Sequence, residues 1–500
     1  MKFRLKIANS VWQQLRQYHL APGKQVEALS YLFGRAVVTS NSVTILIPHT
    51  AEPILFASDC FERQSGGNVR LLPDVLNSLL VRFAAAGEYN VILNTHDHWF
   101  DKSSPKFSAI DDHDDLEFSR YIQRFEKMLV DHPEIGSARS ILHLSLVLSP
   151  GGADARLTDI RRKPVFQALD EIQIIGEHFQ SIPIRHAKGS GVTEVHARQR
   201  DFIPPQVQAQ LANMEIMLVG AGGIGSIQAE DFARLGVGAL TLVDDDALES
   251  TNLNRWQGAL PEDVGQPKVD VLARRLRSMF PHLTVRAHRR SIFDKDVESL
   301  FADADVVVGA LDNDEARCFL NAAAVQYLVP YLDAGVSIQV GEETDFLNRF
   351  FAVLPGTSAC VECSGFQFVN WEQVDNAYLD ATTRKMKQAA GYVVDRPDIS
   401  APAVYGLNQR AASSLITEFM NYVCTWRPMA TSILESWKKG QIQRADRSNF
   451  PESPARDCPT CGFRAGMGNA EHLPRPSCRE NESQTLISPT LHKEICHGQA

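Results

Sequence analysis

The chain has no apolar run of the roughly 18 residues that a membrane-spanning helix requires, so no membrane span is expected. Its first residues, MKFRLKIANSVWQQL, lack the uninterrupted apolar stretch of an export signal; they alternate and then fall at helical spacing, which reads as folded structure. Positive charge is not in excess: 50 Lys and Arg against 60 Asp and Glu leave a net charge of -10. That balance excludes a sequence-independent nucleic-acid binder, which needs a basic face to neutralise phosphates. No internal repeat and no strong low-complexity block is found. Cysteine is scarce but patterned: there are 9, an odd number, and four of them form two C-x-x-C pairs. Without an export signal that pattern favours metal binding over a disulfide framework, and a cytoplasmic protein.

At 500 residues the chain is too long for one core, so two or three domains are expected. Up to about residue 155 the pattern is mixed α/β. VTILIP, YNVILNTH and ILHLSLVLSP suit buried strands, and DLEFSRYIQRFEKML has helical periodicity. GGADA reads as a loop and PVFQALDEIQIIGEHF as a helical stretch. The segment IPIRHAKGSGVTEVHARQR, with its Gly-Ser-Gly, is the expected domain boundary. Beyond about 200, MEIMLVG, ALTLVDDD, TVRAH and DVVVGAL are strand-like with helices between them, which implies a parallel sheet. The polar, Pro-containing tail, 471–500, is expected to be loosely ordered.

The strand MEIMLVG runs into Gly220-Ala-Gly222-Gly223-Ile-Gly225 and then a helical pattern. Glycines there permit a tight turn and let backbone N–H groups approach a phosphate at the helix start. The next strand ends at Asp244, where an acid can hold ribose hydroxyls. By itself this fingerprint reads first as an NAD-dependent oxidoreductase. Residues 244–255 then read DDDALESTNLNR, followed by Gly265-Gln-Pro-Lys268 and by Asp312-Asn313 after DVVVGAL. This set resembles the ubiquitin-activating enzymes and their bacterial relatives of thiamin and molybdopterin biosynthesis (the ThiF/MoeB type), over about residues 196 to 465.

The resemblance implies ATP and magnesium as cofactors. Asp244 would bind ribose, Asn252 and Arg255 would contact the phosphates, Lys268 would stabilise their charge, and Asp312 would ligate magnesium. A carboxylate attacking an α-phosphate brings negative charge to a negative centre, so preorganised cations are what that chemistry needs. The blander readings are surface ion pairs for Arg255 and Lys268 and a helix N-cap for Asp312. Arg198-Gln-Arg200 falls near where the family has a pair reaching into a dimer partner, and a homodimer is expected on that ground. The partner implied is a ubiquitin-like or sulfur-carrier protein, with a conjugating enzyme as a further partner.

Cys360-Val-Glu-Cys363 and Cys458-Pro-Thr-Cys461 offer four thiolates for a closed structural zinc site, the other reading being a redox disulfide in one pair. No cysteine lies between 364 and 423, where family members place a thioester-forming nucleophile. Cys318 and Cys424 fall in helical patterns as packing residues, and Cys478 and Cys496 lie in the polar tail.

In the first half, His96-Asp-His98 ends a strand and Ser108-Ala-Ile-Asp111 follows, while Glu27 precedes an apolar strand ending in Gly34. Two histidines at i and i+2 share one side of an extended segment, and an aspartate can complete a three-ligand zinc site with an open position. This looks like the JAB/MPN metallopeptidases over about residues 5 to 185. The resemblance implies zinc on His96, His98 and Asp111, Glu27 as general base and Ser108 as oxyanion stabiliser. Trp99 stands where that family has proline. The other reading is a degenerate domain whose histidines bind nothing.

The expected fold class is α/β: a mixed α/β JAB-like domain over 1–190, then a Rossmann-type, mainly parallel-sheet domain with a structural zinc over 196–470. The expected function is adenylation of a ubiquitin-like protein's C-terminal carboxylate, joined to a zinc isopeptidase that matures or deconjugates it in a bacterial system, for which the resemblance implies a link to phage defence. The alternatives are sulfur-carrier activation, a binding scaffold with a dead peptidase half, and an NAD-dependent oxidoreductase.

Overall fold

The computed structural model describes residues 1–65, 69–185, 194–340, 344–363, 402–438, 441–446 and 453–468. The tail 471–500, with Cys478 and Cys496, and the cysteine-free stretch 364–401 lie outside them.

The first half builds a ten-stranded sheet from β1 (Lys2–Ala8), β2 (Leu29–Val38), β3 (Ser42–Ile47), β4 (Ile54–Leu55), β7 (Val91–Asp97), β8 (Leu142–Ser149), β9 (Gly152–Thr158), β10 (Phe166–Ala168), β11 (Glu171–Ile175) and β12 (Gln180–Pro183). A separate hairpin pairs β5 (Phe61–Gln64) with β6 (Val69–Leu71). Helix α1 (Asn9–His19) packs Val11, Trp12 and Leu15 into a core shared with Leu5 and Ile7 of β1. Helices α2 (Pro73–Ala85) and α3 (Ala109–Asp131) cover the other face around Phe83, Ile92 and Phe125. Alternating side chains let one sheet feed two cores.

Two local expectations are corrected. GGADA is not a loop beyond Gly151: β9 starts at Gly152 and pairs antiparallel with β8 across a two-residue Pro150–Gly151 turn. PVFQALDEIQIIGEHF is not helical but holds β10 and β11. Ile172 and Ile174 alternate with Gln173, a period of two, and β11 pairs in parallel with β1 and antiparallel with β12, so long-range pairing outweighs local helix propensity. Gly34 also lies inside β2, which continues to Val38.

In the second half, α4 (Pro205–Leu211) precedes an eight-stranded sheet. Its strands are β13 (Glu215–Val219), β14 (Ala239–Val243), β15 (Thr284–His288), β16 (Val306–Gly309), β17 (Tyr331–Gln339), β18 (Asp345–Val353), β19 (Ser432–Lys438) and β20 (Gln441–Asp446). Their order is β15-β14-β13-β16-β17-β18-β19-β20. The first five are parallel and the pairs from β17 onward antiparallel, so the sheet is parallel only on its nucleotide-fingerprint side. Helices α5 (Gly223–Leu235), α6 (Lys268–Met279), α7 (Glu298–Asp303), α8 (Asp314–Gln326) and α9 (Tyr405–Cys424) flank it. The chain leaves β13 toward β14 and β15, then returns to β16 on β13's other side. The crevice beyond the carboxyl ends of β13 and β16 is therefore a topological switch point, where open α/β sheets bind ligands.

Buried polar contacts join the halves. Arg4 of β1 donates to Asp305 at 3.0 Å, and Lys6 donates to the Ala304 carbonyl at 2.8 Å. Gln173 adds a 2.6 Å bond to Asp305, whose other oxygen accepts the Glu215 N–H at 2.8 Å. Ser42 bonds Asp303, and the Thr44 hydroxyl donates to the Ala302 carbonyl at 3.2 Å. The contact thus grips the amino ends of β13 and β16, opposite the switch point. No helix among the described residues is long and apolar enough to cross a membrane.

Candidate functional site

The glycine turn is shaped by close approaches. Gly220 has φ +94, and a Cβ there would lie 2.5 Å from the Ala310 carbonyl oxygen. At Gly225 a Cβ would collide with the Gly220 carbonyl. At Gly223 it would strike the Asn408 side chain of α9. Gly222 differs: it is the N-cap of α5, and a Cβ there would meet nothing within 4 Å. Three glycines serve packing, and Gly222 opens the helix start to a ligand.

Asp244 follows β14, and its carboxylate accepts the Ala221 N–H at 2.6 Å and the Asp246 N–H at 2.8 Å. Burial raises its proton affinity, against the pull of Lys268. Lys268 begins α6 and pairs with Asp246 at 2.6 Å. The ion pair anticipated as its blander role is therefore present, and it also keeps the ammonium beside Asp244. Asn252 ends a short 3-10 turn capped by Glu249, its side-chain oxygen accepting the Glu249 N–H at 3.1 Å. Arg255 donates to the Thr251 carbonyl at 2.7 Å. The loop is fixed to the glycine turn by Trp256, whose indole N–H donates to the Ala221 carbonyl at 2.7 Å, and by the Gln257 N–H on the Ser226 hydroxyl at 3.0 Å. Trp256 was not singled out from sequence, although a lone tryptophan after the Asn-Arg pair was a signal.

Asp312 lies past the end of β16, exposed, with the Asn313 amide 3.4 Å from its carboxylate. The N-cap of α8 is Asn313, which accepts the Ala316 N–H at 2.9 Å, so Asp312 is not the cap. Magnesium takes oxygen ligands and keeps several waters, so one exposed carboxylate at the switch point fits it. Arg198 and Arg200 are exposed, and Gln199 turns inward to Gln208 at 2.7 Å.

Cys360, Cys363, Cys458 and Cys461 bring their sulfurs within 4.8 Å of one another. The Cys360–Cys458 and Cys363–Cys461 separations are 3.7 and 3.6 Å. A disulfide needs about 2.05 Å, whereas a tetrahedron with metal–sulfur bonds of about 2.3 Å has edges of about 3.8 Å. The donor set therefore fits zinc. Cys318 and Cys424 are buried in α8 and α9, and burial pushes the Cys424 thiol up to about 11.

In the first half, His96, His98 and Asp111 form a second group within 4.8 Å. His96 Nε2 is 3.2 Å and His98 Nε2 3.7 Å from the Asp111 carboxylate. His96 Nε2 is buried and faces the Asp111 carboxylate without a well-aligned hydrogen bond. A buried imidazole nitrogen gathered with a carboxylate and a second imidazole fits a metal ion. Ser108 caps α3: its hydroxyl oxygen accepts the Asp111 N–H at 3.3 Å, and the Asp111 carboxylate accepts the Ser108 N–H at 2.5 Å. Glu27 lines a cleft of about 370 Å³ with His96 and Asp111, and burial pushes its carboxyl up to about 7. Asp97, between the histidines, points the other way: it accepts from His19 at 2.8 Å, Lys24 at 2.5 Å and the Ala28 N–H at 3.0 Å, tying down the segment that carries Glu27. The sequence reading missed His19, Lys24 and Asp97; a charge buried between two apolar-strand histidines was the available signal.

The fold and the switch-point site define a Rossmann-type nucleotide-binding unit attached to a second α/β unit. The ThiF family model matches residues 196–463, more than half of the chain, and the chain belongs to the ThiF family. It is 32% identical over 176 residues to the Sulfur carrier protein ThiS adenylyltransferase of Bacillus subtilis (strain 168), covering 34% of this chain and 50% of that protein. It is 28% identical over 188 residues to the SAMP-activating enzyme E1 of Haloferax volcanii, covering 33% and 70% respectively. It is 26% identical over 289 residues to Protein HesA, vegetative, of Trichormus variabilis, covering 57% and 94%. The match to the Bacillus protein thus spans half of that relative's length. A solved structure, E. coli MccB with succinimide, matches at 21% identity and TM-score 0.41, over 56% of this chain and 77% of that one.

Proposed function

We propose that the chain uses ATP to adenylate the C-terminal carboxylate of a ubiquitin-like or sulfur-carrier protein. The observation that carries this reading is the placement of Gly222, Asp244, Arg255, Lys268 and Asp312 around the ends of β13, β14 and β16 in a ThiF-family chain. Asp244 holds the ribose hydroxyls, and the open face at Gly222 receives the phosphates on the N–H groups of the α5 start. Asn252, Arg255 and Lys268 hold the triphosphate. A carboxylate oxygen of the partner bonds to the α-phosphorus, the bond to the bridging oxygen breaks, and pyrophosphate leaves with the electron pair. Lys268 and Arg255 offset the charge that builds on the transferring group. Magnesium, held by Asp312, supplies further charge neutralisation when bound. The four cysteines hold zinc as a closed structural site, and the working unit is a homodimer.

The reading is tested by ATP–pyrophosphate exchange with ubiquitin-like proteins ending in glycine. Exchange that requires both the added protein and Lys268 supports it; exchange with neither overturns it.

A second reading concerns the first half. The buried His96 nitrogen and the Glu27 carboxyl on one cleft favour a zinc peptidase that trims or removes the same partner, with Glu27 as general base and Ser108 at the oxyanion. Metal analysis distinguishes it: His96→Ala with His98→Ala should lower bound zinc by one per chain while the four-cysteine zinc stays. Unchanged zinc would overturn it.

A further inference from the structure

Arg317 and Asp333 are a buried pair that none of the nucleotide-contacting roles uses. Arg317, on the first turn of α8, is 6% exposed, and Asp333, on β17, is 0% exposed. The Arg317 guanidinium donates to the Leu311 carbonyl, the residue before Asp312. It also donates to Asp314 at 2.7 Å, two residues after Asp312. From below, its Nε lies 3.4 Å from Asp333. Asp333 in turn accepts the Tyr331 hydroxyl at 2.9 Å and stands 4.0 Å from Arg349.

Room for this network is made by Gly309, the last residue of β16. A Cβ there would lie 2.5 Å from the Asp333 carboxylate and 3.0 Å from the Tyr331 ring. The Ala310 N–H is held by the Val219 carbonyl at 2.9 Å, beside the glycine turn. The loop carrying Asp312 is therefore pinned on the β13 side by backbone and on the α8 side by one guanidinium.

We propose that Arg317, oriented by Asp333, is a positioning residue that fixes Asp312 for the divalent cation that accompanies the nucleotide. The role rests on the adenylation reading above. Asp312 is exposed, so no packing holds its loop, and the bonds from Arg317 to the flanking Leu311 carbonyl and Asp314 carboxylate fix the backbone that carries it. A buried, bifurcating Arg is suited to this, because its fork holds a carbonyl and a carboxylate at once. Lysine, with one nitrogen, recovers only part of that geometry.

The test is binding of Mn²⁺, followed by electron paramagnetic resonance, to the full chain saturated with α,β-methylene-ATP. The wild type should bind one Mn²⁺ tightly per chain in addition to any already held. Arg317→Met should weaken that binding at least tenfold, with nucleotide affinity in EDTA unchanged, and Arg317→Lys should restore part of the loss. Asp333→Asn keeps the shape and the Tyr331 acceptor, and should weaken Mn²⁺ binding severalfold even if Arg317→Met fails to fold. Wild-type Mn²⁺ affinity in Asp333→Asn and in whichever Arg317 variants fold would overturn the positioning role. A wild type that binds the analogue but no additional Mn²⁺ would overturn the cation site itself, and a wild type that binds no analogue would overturn the adenylation reading.

Discussion

Replacing Asp305 with alanine should destabilise the whole chain, not one half of it. The carboxylate is 4% exposed and bonds Arg4, Gln173 and the Glu215 N–H, which belong to both halves. Breaking a buried ion pair from one side costs about 3–5 kcal/mol, because the remaining charge is stranded. Arg4 is only 2% exposed and cannot reach water without unpacking β1. The orphaned Glu215 N–H adds about 1–3 kcal/mol. Against total stabilities of about 5–15 kcal/mol that is a large fraction, and at about 1 °C per kcal/mol for a chain of 500 residues that melts as one unit it lowers the melting temperature by about 4–8 °C. Pairing Asp305→Leu with Arg4→Met should recover more than half of the loss, since it strands no charge. Thermal melting of the three proteins, read by tryptophan fluorescence and by circular dichroism, checks this. Melting of Asp305→Ala within about 2 °C of wild type would refute the reasoning that the interface is a fixed, dry contact.

The remaining expectations concern three other places. Burial beside Arg4 pushes the Lys6 amine down to about 7; the unfolded chain then binds more protons between about pH 7 and the usual lysine range, so stability should rise with pH across that window. Lys6→Met should flatten that rise in melts run from pH 7 to 10. Cys458→Ser should lose one zinc per chain by elemental analysis and melt about 5 °C or more lower, because metal binding is linked to folding. Gly222→Val should fold normally and weaken ATP binding at least tenfold by calorimetry, since its side chain enters the open ligand face. Gly225→Ala should instead lower stability by about 1–3 kcal/mol, through the collision with the Gly220 carbonyl.

Legibility from sequence followed the range of the forces involved. The strand–glycine–helix turn was readable because each residue's job there is local: Gly220 and Gly225 make space, and Gly222 opens the helix start. The two C-x-x-C pairs were readable because a tight turn presents both thiolates, although only the fold brings Cys360 to Cys458. β11 was misread because its parallel partner β1 lies far away in the chain, whereas β9 and β10 pair with neighbours in sequence and were hidden by the small residues of GGADA and by their short length. The antiparallel β18–β20 side of the second sheet was missed too, since β18 pairs with β19 across the long stretch 354–431. Buried charges were the other blind spot. Arg4, Lys6, Asp97 and Asp333 look like ordinary surface residues until the partners that desolvate and pair them are known. Asp333, a lone charge in VPYLDAGV, could have been found, as could Asp97 between its two histidines, since an unpaired charge is rarely left in a buried strand.

The most direct test of the account is detection of the adenylate itself. The purified chain is mixed with ATP, magnesium, pyrophosphatase and a ubiquitin-like protein ending in glycine, then quenched in acid, and the partner's intact mass is measured. The account predicts a partner carrying one adenylyl group, formed by the wild type and lost at least a hundredfold in Asp312→Ala and Lys268→Ala. A partner left unmodified across a panel of glycine-ended proteins, by a chain that binds ATP and magnesium, would contradict it.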